Sequence, residues 1–413
     1  MKHLLAVVLF CLFSTLPLSA PDAPEHLAFT RSQLQARDFT KTTTDVHGLS
    51  LIQQYCTATL RHCTLQVPKG TTHPPVADFV FVVTTDGLRW QEVFTGADPY
   101  LMGTIAPEQQ LAYQNRYDAT TPEARRTQLM PFFWSKLAKN GQIYGNRAYG
   151  NQMNVDNNLW FSYPGYNELF SGGPDDLRIW SNAKKQNPNT NVFEYLNKQA
   201  GTRGKVAAFG SWDAFPYILN ENRAEFTVNA GFENRTDGPV NAEQVRLNAL
   251  QHLIPANLHT GVRPDSLTWA FAKNYLQVAH PRVTLIGLGE TDEYAHLGNY
   301  AGYLDAARHF DACLADLYQF IQNDPVYRGR SAILITTDHG RGSKDGWCNH
   351  HALVEGSDAI WCAVLAPNIQ AKGEVKQPMQ IWQKQMAQTI AHMLGFEFQC
   401  EHSVAGYINA IFE

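Results

Sequence analysis

Past its first twenty residues the chain has no second long apolar stretch. It has no conspicuous run of like charges, and no internal repeat is visible. Charged residues make up only 17% of it, and the net charge is −5. These absences exclude a multi-span membrane protein and a solenoid, and they leave no broad basic face for a nucleic-acid polymer. The 29 glycines and 21 prolines follow no fixed period, which excludes collagen-like and low-complexity chains. What is plentiful is apolar: 44% hydrophobic and 12% aromatic residues in 413, enough for a large core rather than a disordered chain.

Lys2 and His3 precede an apolar stretch over 4–13 and small residues up to Ala20. This is the layout of a cleaved secretory signal peptide over 1–20, and it predicts a secreted or periplasmic protein with no transmembrane segment after cleavage. Of the seven cysteines, Cys11 leaves with the leader. Cys56, Cys63, Cys313, Cys348, Cys362 and Cys400 remain, an even number that in an exported chain predicts disulfides. Buried free thiols are the competing reading. Residues 21–75 are polar and read as an N-terminal extension. The rest, 76–413, reads as one catalytic domain.

In that domain, continuous apolar runs at 78–84, 205–209, 283–288, 332–335 and 359–365 suit strands buried on both faces. Helical patterns at 123–139, 191–199, 240–253, 265–278, 300–321 and 381–394 lie between them. The alternation predicts an α/β fold, a three-layer αβα sandwich around a mainly parallel sheet. Reactive side chains in such folds sit just past the C-terminal strand ends.

Three strand ends deliver an aspartate: Thr85-Asp86-Gly87, Glu290-Thr291-Asp292 and Thr337-Asp338-His339-Gly340. One such aspartate is an ordinary helix cap. Three, accompanied by histidines, suggest a metal site. Asp292 and His296 are four apart and share a helix face. His350 and His351 follow a glycine-rich loop, and one of the two is the candidate ligand. Mixed carboxylates and imidazoles suit Zn²⁺, with Mn²⁺ second, and the donors suffice for two ions. Two such ions can clamp the attacking and leaving oxygens of a phosphoryl group. Ser162, in Ser162-Tyr163-Pro164-Gly165-Tyr166-Asn167, sits where a tight turn enters a helix. It is the candidate nucleophile; read alone, it would be a helix N-cap.

Together these residues resemble the alkaline phosphatase superfamily, more narrowly its type I phosphodiesterase/nucleotide pyrophosphatase branch. The resemblance runs in order over roughly 76–412: Asp86, Ser162-Tyr163-Pro164, Ser171-Gly172, Asp292 with His296, Asp338-His339-Gly340, then His350 before a strand closing in Ala366-Pro367. It implies one metal held by Asp292, His296 and His350. A second would be held by Asp86, Asp338 and His339, with Ser162 between or near both. It also implies a phosphoryl contact from Asn182, with Asn167 the nearer competitor in sequence. His350 fits the family's spacing to Ile360-Trp361 better than His351. The chain departs from the branch in having serine for threonine and Gly165 for asparagine. Tyr166 stands where a sulfatase needs arginine, which counts against sulfate esters. Arg178 and Arg341 are the candidates for a phosphate-binding arginine.

The expectation is therefore an exported two-metal phosphoester hydrolase, a phosphodiesterase or phosphomonoesterase, acting on a small molecule through a phosphoseryl intermediate. A phosphotransferase on the same scaffold and a non-catalytic exported binding protein are the alternatives. Trp160, Tyr163, Tyr166, Trp212, Tyr294 and Trp347 lie near the motifs, where core packing competes with stacking on a substrate.

Overall fold

The computed structural model describes residues 71–255 and 261–413. The expected signal peptide over 1–20, Cys56, Cys63 and nearly all of the 21–75 extension lie outside them. The described residues all belong to one compact unit.

Strand β1 (Phe79–Thr85) is buried along its whole length. Its side chains alternate between two cores. Phe79, Phe81 and Val83 enter one, and Val80 and Val82 enter the other. That is why the run reads as continuously apolar rather than alternating. The other strands are β2 (Gln142–Tyr144), β3 (Asn151–Asn154), β4 (Val206–Gly210), β5 (Thr227–Ala230), β6 (Val283–Leu288), β7 (Ser331–Thr336), β8 (Ala359–Ile360), β9 (Cys362–Leu365), β10 (Gly373–Glu374) and β11 (Met379–Trp382). Eight form one sheet in the order β10-β2-β9-β7-β1-β6-β4-β5, and β11-β3-β8 form a second, small one. The run from β7 through β1, β6 and β4 to β5 is parallel, while β9 is antiparallel to both β7 and β2.

The helices used below are α1 (Pro122–Leu129), α2 (Ser162–Ser171), α3 (Val192–Lys198), α4 (Ala242–Gln251), α5 (Asp265–Ala279), α6 (Glu290–His296), α7 (Tyr300–Asn323) and α8 (Gln385–Met393). Helices α5 and α7 cover one face of the large sheet; α2, α3 and α8 cover the other. The three-layer αβα sandwich is the architecture observed.

Three sequence expectations need correction. The run at 359–365 is two strands in different sheets. Fully buried Trp361 stands between them, its indole N–H on Leu88 O at 2.9 Å. The pattern at 123–139 is broken after Leu129, because Pro131 pushes Met130 out of helical geometry (φ −127°, ψ 69°). The pattern at 381–394 begins as strand, with Ile381 and Trp382 paired to Met153 and Asn154. Strand β5, half-buried at the sheet edge, carried no sequence signal.

No disulfide joins the four described cysteines. Cys313 and Cys362 are buried free thiols in the two cores, which is the competing reading rather than the expected one. No helix among the described residues is long and apolar enough to cross a membrane.

Candidate active site

The three expected aspartates meet because β7, β1 and β6 are adjacent and parallel, so their C-terminal ends share one edge. Asp86 directly follows β1, and its N–H donates to Leu288 O at 2.9 Å. Asp338 lies two residues past β7. Asp292 sits in α6, whose start is tied to β1 by Thr291, bonded to Thr85 Oγ1 at 2.9 Å and to Asp86 O. Gly87 donates its N–H to Asp338 Oδ1 at 3.1 Å, with φ +59°. A Cβ there would stand 2.8 Å from Asp292 Oδ1, so glycine lets the loop pass between the two carboxylates.

The deeper half of the site contains Asp86, Asp338, His339 and Ser162. His339 Nδ1 faces Gly340 O at 2.8 Å; a carbonyl can only accept, so Nδ1 carries the proton. That leaves Nε2 bare and able to take an ion. It lies 3.3 Å from Asp86 Oδ1, 3.5 Å from Asp338 Oδ2 and 3.3 Å from Ser162 Oγ. Asp86 Oδ1 and Asp338 Oδ2 are buried and accept no hydrogen bond from any described residue. Burial, then mutual repulsion among the carboxylates, pushes both acids well above the usual carboxylate range.

The outer half contains Asp292, His296 and His350. His296 Nε2 lies 2.9 Å from Asp292 Oδ2, and His350 Nε2 is 3.6 Å from Asp292 Oδ1 and 3.1 Å from His296 Nε2. His350 Nδ1 donates to Trp160 O at 3.3 Å, so here too Nε2 faces the acids. Arg341 is fully buried and bonds to Asp292 Oδ1. Burial alone would raise Asp292, but that guanidinium, together with His296, His350 and His339, outweighs it and holds the carboxyl well below its ordinary value. Burial, then neighbouring His339, pushes His350 down to about 2, keeping its imidazole neutral. The halves touch through His339 and His350, whose rings stack at 3.8 Å.

Ser162 is the first residue of α2 and is buried. Gly165 lets that helix start lie against Asp338. A Cβ at this position would stand 2.5 Å from Asp338 O, which gives a packing reason for glycine here. Asn182 Oδ1 accepts from Tyr163 N at 2.9 Å, placing this exposed side chain beside the serine. Asn167 is buried elsewhere, its Oδ1 taking N–H groups from Asn187 and Asn189, both at 3.1 Å. His351 is exposed and its Nδ1 accepts from Leu353 N, away from the cluster.

Arg341 serves Asp292 and the carbonyls of Trp347 and Cys348, and Arg178 is paired with Asp175 and Asn189. Among the aromatics, Tyr163, Tyr166 and Trp347 are buried in the cores. Trp160, Trp212 and Tyr294 are half-buried. Sequence reasoning missed Gln383, whose amide donates to Asp338 O at 2.6 Å. It also missed Glu168 and Asn157, treated below. None carries a motif, since each acts through backbone groups.

At this strand edge two donor sets fit divalent ions: Asp86, Asp338 and His339, and Asp292 with His339 and His350, the second taking His339 where His296 was expected; Cys400, Glu401 and His402 form a further cluster among the described residues. The orphaned oxygens of Asp86 and Asp338 are the direct sign, because buried carboxylate oxygens without donors call for a cation. The mixture of imidazole nitrogen and carboxylate oxygen suits zinc or manganese.

No protein-family model matches the chain, and no curated protein matches it. Solved structures do. The alkaline phosphatase PafA superposes over 83% of this chain and 100% of its own, at 11% identity and a TM-score of 0.57. The 2-O GAG sulfatase BT1596 covers 81% of this chain and 74% of its own, at 13% identity and 0.51. The lipoteichoic acid synthase LtaP from Listeria monocytogenes covers 84% and 79%, at 10% identity and 0.50. The fold is the one shared with these solved structures, the alkaline phosphatase PafA among them. Identity this low carries the fold, and the chemistry has to come from the site.

Proposed function

We propose that this protein is an exported two-metal phosphoester hydrolase in which Ser162 is the nucleophile. One observation carries the reading. A serine hydroxyl at a helix start lies 3.3 Å from His339 Nε2, beside two buried carboxylates whose facing oxygens lack donors. Asp86, Asp338 and His339 would hold one ion, and Asp292, His296 and His350 the other. When bound, such ions supply Lewis-acid polarisation of a phosphoryl oxygen and favour the ionised serine.

The chain's own groups do the rest. Ser162 Oγ gives its proton to solvent and bonds to phosphorus as the phosphorus–ester oxygen bond breaks and that oxygen takes a proton from solvent, forming a phosphoseryl enzyme. Water then attacks phosphorus, the bond to Ser162 Oγ breaks, and a proton from solvent restores the hydroxyl. At the start of α2, Tyr163 N is taken by Asn182 Oδ1, Pro164 carries no N–H and Gly165 N is bonded to Phe161 O, which leaves the Ser162 amide to face an anion. Asn182, whose Oδ1 is engaged by Tyr163 N, offers its NH₂ group to an equatorial phosphoryl oxygen. Gly340 and Trp160 carbonyls fix the tautomers of His339 and His350.

Among substrates, phosphoesters are favoured over sulfate esters because Tyr166, where a sulfatase carries arginine, is fully buried. The test is hydrolysis of p-nitrophenyl phosphate, its bis ester and the sulfate ester by zinc-loaded protein, with Ser162→Ala alongside. Turnover of a phosphate ester, lost in Ser162→Ala, with Ser162 phosphorylated on rapid acid quench, is the expected result. An alanine variant keeping most of the activity would end this reading.

A further inference from the structure

Glu168 is fully buried on α2, six residues after Ser162, and no part of the proposed chemistry uses it. Its carboxylate accepts from Asp156 N at 2.9 Å, Asn157 N at 2.8 Å, Asn157 Nδ2 at 2.9 Å and Lys384 N at 3.1 Å. A buried carboxylate with this many donors is a fastening point. Two segments are fastened to it. One is the loop that leads into Ser162; the other carries Gln383, whose amide holds Asp338 O.

The loop continues the chain of contacts. With its Nδ2 on Glu168, Asn157 directs Oδ1 at the N–H groups of Leu159 and Trp160, both at 3.0 Å. This bends the backbone so that Trp160 adopts φ +55°, a strained conformation for a bulky residue. Such strain persists where surrounding bonds over-determine it. The bend aims the Trp160 carbonyl at His350 Nδ1, 3.3 Å away. Two residues later the same backbone delivers Ser162.

We propose that Glu168 and Asn157 are positioning residues that couple the approach of Ser162 to the tautomer of His350. The Trp160 carbonyl forces the proton onto His350 Nδ1 and leaves Nε2 bare toward Asp292. Without the Asn157 clamp the carbonyl turns away, and His350 loses the tautomer in which Nε2 can take an ion. The inference rests on the proposed role of Ser162 and His350, but one of its two readouts is independent of activity.

The experiment uses metal-free, full-length protein labelled with ¹⁵N at histidine, with His350→Gln to assign the signal. Wild type shows His350 protonated at Nδ1. Asn157→Ala, folded but with a lowered melting temperature, shows a tautomer mixture. With zinc, its kcat on the better p-nitrophenyl ester falls roughly 10–100-fold, and KM moves less than about threefold. Asn157→Ser, which keeps an acceptor for the two amides, restores most of the Nδ1 signal and of kcat. Glu168→Gln gives the same pair of changes and decides the matter if Asn157→Ala does not fold. A folded Asn157→Ala or Glu168→Gln with an unchanged His350 tautomer overturns the proposal. So does a wild-type His350 protonated at Nε2. Should wild type turn over no phosphoester, the hydrolase reading falls and the tautomer still decides this one.

Discussion

The two halves of the site use the same residue types and are electrostatically opposite. In the outer half Asp292 has its own cation, the buried Arg341 guanidinium, and its charge is secure without any ion. In the deeper half Asp86 and Asp338 both face His339, and two of their oxygens lack donors. The outer half can exist as it stands. The deeper half holds two charges only if a cation arrives, because burial and mutual repulsion otherwise drive its carboxyls toward the neutral form. The lesson is that the deeper half should depend on the metal for its ionisation, and the outer half mainly for its chemistry.

The hardest test of that contrast is Asp338→Asn. It keeps the acceptor for Gly87 N and removes one of the two unsupported charges. The expected result is a loss of at least about 10³-fold in kcat, together with loss of one of two bound metals by elemental analysis. The metal-free protein should nonetheless become more stable, by roughly 1–3 kcal/mol, since the cost of burying that carboxyl, charged or protonated against its ordinary value, has gone. Retention of both metals at full activity would dissolve the contrast.

Asp292→Asn is the mirror experiment. It leaves Arg341 buried and without its carboxylate. Breaking one partner of such a pair costs roughly 3–5 kcal/mol. The metal-free variant should therefore melt well below wild type, where Asp338→Asn melts above it. Two aspartates at neighbouring strand ends would thus shift stability in opposite directions, read from denaturant or thermal unfolding of chelator-treated protein. Equal shifts would mean that Arg341 contributes nothing distinctive.

Much of this was legible in the sequence because it depends on strand ends. A buried parallel strand is a continuous apolar run, so Asp86, Asp292 and Asp338 could be placed on one edge from pattern alone, with His296, His339 and His350 beside them. Ser162 was legible through its turn chemistry. The electrostatic contrast was not. Arg341 stands next to Gly340 in the chain, but its bond to Asp292 spans 49 residues and depends on how the loop after β7 folds back. Glu168 was illegible for a similar reason: an acid within a helix signals nothing until its backbone donors are known. The split of 359–365 turned on a single tryptophan leaving one sheet for another, which no periodicity shows.

The smallest effect, and the most discriminating, is the pH dependence of the metal-free protein. His350 is pushed down to about 2 from 6.5, so the folded state binds fewer protons than the unfolded one between those values. Its contribution is complete above about 6.5 and is lost as the pH falls below it. Asp86 and Asp338 have the opposite sign. Their folded-state values lie above the ordinary 3.8, so the folded state binds the extra protons, and stability is lost as pH rises from 3.8. Melting temperature against pH should therefore carry two opposed slopes. His350→Gln should flatten the loss on acidification, and Asp338→Asn the loss on raising the pH. Zinc should remove the second loss by neutralising the deeper half. If zinc instead leaves that slope untouched, the ion does not sit between Asp86 and Asp338.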